Sequence, residues 1–397
     1  MKNVALLFLV IPLTSFGQIT ITSVQNGNAS NPLTWDCTCF PTTDDDIIIN
    51  HAVAMDVDWA ITAAGSITVN NGASLMQAGV HSILVDGAGS QYSNYGSSAF
   101  YDVAYTNGAG GTNTGNFLIT RALYVGAPSV LSNSGTLHGI DSLLVEGSLT
   151  NSGTCYAGNI LNTGSFTQAG QIVADSVGNM GTFNSTGGYM YFNAFGNTGT
   201  FNMTGTGFMD VLYNWANVGD FTLDPGLDIF AHNDFYNGDS LGGSANLHNN
   251  GTIEVANNFL NGYFIDGTGN FCITNDTYNV GVMNGTFDFC DNTGGSIDLN
   301  TGTVAPGITF CSPGCSVGIE EKSNLALKVF PNPSSGTFEI DSPTNYSTGN
   351  VFSISGKLIE QIVIIENALI LNHLDSGTYF VTLNGQHSSE IVKIIIQ

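Results

Sequence analysis

The chain has 397 residues, with 31 Asp or Glu against six Lys or Arg and a formal net charge of −25. A surface this acidic repels nucleic acid, whose sequence-independent binding needs Lys and Arg, so nucleic acid is a poor partner. With 42% hydrophobic residues and 50 glycines, the composition is not that of a disordered chain, and its abundant Gly and Asn turns favour an all-β fold.

At the N-terminus, Lys2 precedes an apolar run from Val4 to Leu13 and the small residue Gly17. The run is shorter than the roughly 20 residues that cross a bilayer, so residues 1–17 read as a signal peptide cleaved before Gln18. No later stretch reaches transmembrane length, and the protein is expected to work outside the cytoplasm.

Residues 18–319 form the expected body. Between Gln18 and Glu321 lie 25 of the acidic residues and a single basic one, Arg121. The acidity is read as a solubility device. Ca2+ at the acidic turns is the functional alternative, although neither an EF-hand spacing nor a nine-residue Gly-Asp repeat is present. Residues 31–75, with Trp35, Pro41, Asp44, Asp45 and Asp46 before the Ile47–Ile49 run, resemble the opening segment of secreted bacterial β-helix proteins. The resemblance implies an N-terminal cap there.

Along the middle of the chain an Asn-x-Gly motif recurs at Asn133, Asn151, Asn162, Asn179, Asn197, Asn217, Asn249 and Asn279. The intervals are 18, 11, 17, 18, 20, 32 and 30 residues, most of them near 18 or near twice a slightly shorter period. Short strands with Asn and Gly at each corner are the signature of a β-solenoid, whose coils bury their apolar side only by stacking. We expect a right-handed parallel β-helix, its corner Asn and Gly tolerating positive φ and its Asn side chains hydrogen-bonded along a column.

Seven cysteines in an exported chain point to disulfides with one thiol left over. Cys272, Cys290 and Cys311 share a Phe-Cys frame 18 and 21 residues apart. Adjacent rungs lie about 4.8 Å apart, which predicts a Cys272–Cys290 bridge with Cys311–Cys315, and Cys290–Cys311 as the competing pairing. Cys37 and Cys39 are expected to pair with each other rather than bind a metal with His51, and Cys155 to be a buried free thiol. No metal site is assigned.

The most enzyme-like cluster is Asp44, Asp45, Asp46, His51, Asp56 and Asp58, since paired carboxylates can cleave a glycosidic bond. These are read as solvated turn carboxylates. A β-helix lyase needs a Lys or Arg base, and the body offers only Arg121. His81, His138, His232 and His248 show no spacing that suggests a site. No catalytic residue is assigned.

Residues 320–327 read as a polar linker. Beyond it come Pro331-Asn332-Pro333 with Gly336, then Gly356-Lys357-Leu358, then Gly377 with Tyr379, and a last apolar run to Ile396. In order and spacing these resemble the type A C-terminal sorting domain of type IX secretion cargo, at residues 328–397. The resemblance implies recognition by the outer-membrane secretion machinery and a secreted or cell-surface location reached through the periplasm. Alternating apolar residues between Gly and Pro turns independently predict a small antiparallel β-sandwich, with Pro331 and Pro333 fixing the chain ahead of its first strand.

The expected role is structural and adhesive, with polar and aromatic faces turned toward glycans or neighbouring cells. A carbohydrate-active enzyme on the same scaffold is the alternative. An ice-binding Thr face is weaker, because Thr does not recur in a strict Thr-x-Thr ladder.

Overall fold

The structure, a computed structural model, describes residues 18–238, 244–311, 328–342, 346–353, 358–364, 367–385 and 389–397. Two compact units divide between Cys315 and Ser316. The expected signal peptide, the linker 320–327, Cys315, Gly356 and Lys357 lie outside the described residues.

The first unit is a parallel β-solenoid of about 13 turns. One wall is a 15-stranded sheet running from Thr20–Thr22 to Thr303–Val304. Each of its strands stacks in register on the next, as Ser148–Asn151 does on Ser165–Gln168 and Ser165–Gln168 on Thr182–Ser185. The return path of each coil makes the other walls. In the middle coils it is one long strand with a bend, such as Thr136–Val145, and in later coils two short ones, such as Phe208–Val211 and Trp215–Asn217.

Alternation decides what is inside. Within each four-residue strand of the 15-stranded wall the second residue is buried and usually the fourth, so Leu149, Phe166, Phe183, Phe201 and Phe221 all point into the core. In-register stacking turns Phe166, Phe183, Phe201 and Phe221 into a column with centroids 4.7–4.9 Å apart. Such offset ring pairs add to the burial of the rings themselves.

Inside two corners run hydrogen-bonded amide ladders. The first links Asn94, Asn113, Asn133, Asn151 and Gln168. The second links Asn162, Asn179, Asn197, Asn217, Asn237, Asn261, Asn279 and Asn300, all the steps of both being 2.6–2.9 Å. Most of these amide nitrogens donate a second bond to a backbone carbonyl of the next coil, as Asn179 does to Thr200. These bonds satisfy the buried amides as an apolar interior demands, except that Asn162, which opens the second ladder, has no partner for its Oδ1 among the described residues.

The ladders correct two expectations. The 11-residue interval from Asn151 to Asn162 is a change of corner within one coil, and the intervals of 32 and 30 are one coil plus a crossing to the other corner, not double coils. The corner glycines that follow do not have positive φ. They are glycine because a Cβ on Gly135 would collide with the carbonyl oxygen of Gly115, and one on Gly199 with that of Gly181.

The solenoid also begins earlier than the expected cap. Thr20–Thr22 already pairs with Asp46–Ile49, and Gly27–Asn28 with the Ala52–Met55 strand. Trp35 closes this end: it is buried, donates from Nε1 to the Ala29 carbonyl at 2.9 Å, and lies 6.0 Å from the Trp59 ring.

The second unit holds two antiparallel sheets. One has Lys328–Phe330, Thr337–Asp341 and Ala368–Ile370; the other orders Leu358–Val363, Tyr346–Ser353, Gly377–Gly385 and Ser389–Ile396. Phe338, Ile340, Val351, Leu369, Val381, Leu383 and Ile394 from both sheets form one buried cluster. Pro331 and Pro333 follow the first strand rather than precede it, because Lys328–Phe330 already pairs with Phe338's strand.

Candidate binding surfaces

On the 15-stranded wall, the third residue of eight successive strands faces outward and stacks in register: Thr68, Ser93, Thr112, Ser132, Thr150, Thr167, Asn184 and Asn202. Beside it runs the column Ser66, Gln91, Gly110, Val130, Ser148, Ser165, Thr182 and Thr200. None of these 16 positions is charged, in a body that carries 23 acids. From Ser93 to Thr200 the hydroxyls on this face make no side-chain hydrogen bond among the described residues. Asn202 and Asn184 bond to each other at 2.9 Å.

The strand-by-strand repeat places the hydroxyls roughly 4.8 Å apart along the column. The sequence did not show this face as a unit, because Ser, Thr and Asn alternate as its occupants. Only the register reveals that they fall in one line.

Further surfaces lie on the return path. Tyr156 and Tyr189 are exposed, and Tyr189 stacks on Phe208 with centroids 5.7 Å apart. At the strand bends, Gly139, Ala157, Gly158 and Ala174 leave a shallow groove of about 310 Å3, flanked by Tyr156, Asp141 and Asp175. Asp175 accepts from Asn193 at 3.0 Å. On the long wall, His248 meets Asp266 at 2.5 Å and Asn246 meets Asp220 at 2.7 Å.

Of the acidic residues singled out near the N-terminus, Asp44 and Asp45 share the Thr42 hydroxyl and the others are engaged apart from them. Asp44 accepts from the Thr42 hydroxyl, and the buried Asp45 from the Thr42 amide and hydroxyl. Asp46 binds Gln18 and Ser66, and His51 binds Ser23. Asp56 accepts from the Ser30 amide and hydroxyl; burial raises its pKa, but these bonds outweigh it and hold the carboxyl below its ordinary range. Asp58 accepts from the Ser82 amide at 2.9 Å. Ser82 also reaches Asp102 at 3.5 Å, so Asp58 and Asp102 share a partner, as Asp44 and Asp45 share the Thr42 hydroxyl and Asp291 and Asp298 that of Thr277.

Arg121, the only basic residue of the body, is engaged by Asp102 through two nitrogens and lies over the Tyr101 ring. The histidines likewise sit apart, His81 with Asp58 and His232 with Asp210. Among the described residues no group of three or more His, Cys, Asp and Glu side chains is placed to hold a metal.

Cys37 pairs with Cys39, as expected. The preferred Cys272–Cys290 pairing is overturned, and with it Cys311–Cys315: Cys290 is bonded to Cys311, their Cα atoms 4.4 Å apart. Cys272 and Cys290 are direct register partners. On in-register parallel strands the Cα–Cβ bonds run side by side, which keeps the Cβ atoms near the strand spacing and beyond the ~3.8 Å a disulfide prefers. Cys311 instead follows a turn, with a φ of 51° that aims it at Cys290. Cys272 is also disulfide-bonded. Cys155 is a free, buried thiol whose pKa burial pushes up to about 12.

In the second unit the Pro-Asn-Pro segment ties the two ends of the domain together. Asn332 donates from Nδ2 to the Lys393 carbonyl at 2.8 Å and accepts the Ile395 amide at 2.9 Å. Ser334 donates its amide to Ile395, accepts the Gln397 amide, and donates its hydroxyl to the Thr337 carbonyl. Gly336 has a φ of 107°, a conformation L side chains rarely adopt, and a Cβ there would strike Asn372. Tyr379 donates its hydroxyl to the Asp375 carbonyl at 2.8 Å. Leu358 opens a strand of the four-stranded sheet and Gly377 another.

Residues 328–397 match the family described as the secretion system C-terminal sorting domain. The protein is cargo of the type IX secretion system. Among curated proteins, none is detectably similar in sequence to this chain. As type IX cargo it is exported to the cell surface or the extracellular space, and its sorting domain implies interaction with the secretion machinery. No helix among the described residues is long and apolar enough to cross a membrane.

Proposed function

We propose that this type IX cargo is a structural and adhesive protein of the cell exterior, first carried out of the cytoplasm by its N-terminal signal peptide. The solenoid serves as a stiff scaffold, and its solvent-facing rows of hydroxyls, amides and aromatic rings bind glycans. The observation that carries this reading is the uncharged, in-register polar face on an otherwise strongly acidic body. Hydroxyls and amides pair with sugar hydroxyls, and exposed rings such as Tyr156 and Tyr189 offer apolar planes to sugar faces.

A second reading, a carbohydrate-active enzyme, is favoured by the two carboxylates that share Ser82, Asp58 and Asp102, in a shallow hollow beside Trp59. The full chain, incubated with neutral and acidic polysaccharides with and without Ca2+, separates the two. Retention of intact polymer supports adhesion. Shortened products, abolished in Asp58→Asn and Asp102→Asn variants, would replace it with the enzymatic reading.

A further inference from the structure

We infer that the 15-stranded wall, between the strands Ser66–Val69 and Thr200–Met203, is the glycan-binding face, and that its ligands are neutral polysaccharides. This rests on the adhesive reading above and deepens it.

Two independent features point to this wall. The first is charge. The eight strands present no charged side chain, whereas the return-path strands at the same level carry Asp102, Arg121, Asp141 and Asp175. A polyanion is repelled by the body as a whole, and an uncharged face gives it no compensating cation. A neutral chain meets no such barrier.

The second is unused hydrogen-bonding capacity. Inside the corners each ladder side chain is bonded to the next, and the corner hydroxyls of Thr163, Thr186, Thr198 and Thr204 bond back to the coil beneath. On the wall, the hydroxyls of Thr150 and Thr167 have no hydrogen-bond partner among the described residues, and the ladder behind them fixes their positions. Each hydroxyl is both donor and acceptor, so a row of them matches a polymer whose own groups are hydroxyls. A rigid row costs little ordering entropy on binding, and an extended chain lying on it makes many weak contacts at once. The groove beside Tyr156 spans only three coils and is flanked by carboxylates, so it offers a shorter and more charged platform.

The test uses the full chain in pull-down and titration with cellulose, xylan and mannan as neutral probes and alginate as the acidic one. T150V/T167V removes two hydroxyls while keeping shape and strand preference. T150D/T167D places charge on the face, and S142D on the return path is the control. Circular dichroism and melting temperature establish that each variant folds. We expect wild type to retain at least one neutral probe and not alginate, T150V/T167V and T150D/T167D to weaken that binding about tenfold or more, and S142D to leave it unchanged. Neutral binding undiminished in both wall variants, or retention of alginate alone, overturns this inference and leaves adhesion standing on another face. Retention of no polysaccharide overturns both. Thermal hysteresis in freezing solutions without polysaccharide binding would reassign the face to ice.

Discussion

Tyr105 is fully buried, and its hydroxyl has no hydrogen-bond partner among the described residues. Burial and the neighbouring Tyr92 push its pKa well above the ordinary value, so the group is a neutral, unpaired hydroxyl in an apolar coil. Tyr105→Phe removes that oxygen and is expected to stabilise the solenoid by about 1 kcal/mol, read as a higher urea midpoint. A lower midpoint would show that the hydroxyl is paired. Glu254 works in the opposite electrostatic sense. Burial first, and then the charge of Asp228, raise its pKa. A raised folded-state pKa gives stability that is fully present below the unfolded carboxylate value and is lost as pH rises through the folded one. Glu254→Gln should therefore raise the melting temperature at pH 7 and change it little near pH 4. Equal shifts at both pH values would count against this account.

Neighbouring coils are held together by strand ladders and, from Asn94 to Asn300, by an amide at one corner or the other. Asn197 donates to Asn217 and to the Asp220 carbonyl while accepting from Asn179. Asn197→Ala leaves buried partners unsatisfied on both sides, an expected loss of about 3 kcal/mol in chemical denaturation, far above the cost of Asn184→Ala at a half-buried surface position. In the sorting domain Asn332 plays a comparable part between elements distant in sequence. Asn332→Ala should make the amide of Ile395 exchange faster with deuterium and reduce the amount of cargo reaching the cell surface; unchanged exchange would deny the clamp. The sequence revealed these elements unevenly. The Asn-x-Gly rhythm was legible because Asn inside a core has few other uses. Which corner each Asn occupied was not, since spacing alone does not distinguish the two, and only the 11-residue step hinted at the change. The disulfide failed for a related reason: equal frames placed Cys272 and Cys290 on one line, but parallel Cβ vectors keep neighbours on that line from bonding. The acidic residues near the N-terminus were close in sequence, but they lie mostly in turns and loops flanking the strands, where Asp46 is engaged by Gln18 and Ser66, Asp56 by Ser30 and Asp58 by Ser82. The PNP signature was read as a marker, and nothing in it disclosed that Asn332 grips the final strand.

A stack in which each coil touches only its neighbours has stability that varies along its length, and its ends open first. Here the N-terminal end is closed by Trp35, while the C-terminal end narrows to the two-residue strands Leu299–Asn300 and Thr303–Val304 next to the Cys290–Cys311 bridge. Reduction of the full chain should accelerate hydrogen exchange from about Asn270 to Val304 and leave the coils between Gly110 and Met203 protected. A uniform rise along the solenoid would mean the bridge acts on the whole stack. The grip of Asn332 on Lys393 and Ile395 has a consequence for the order of events in the cell. The ribosome makes Asn332 some sixty residues before the segment it holds. A chain that stalls or is cut before Ser389 has the PNP signature but not the strand that closes around it. The Pro-Asn-Pro segment is thus clamped only where the strand Ser389–Ile396 is also in place, although the two are made far apart in time.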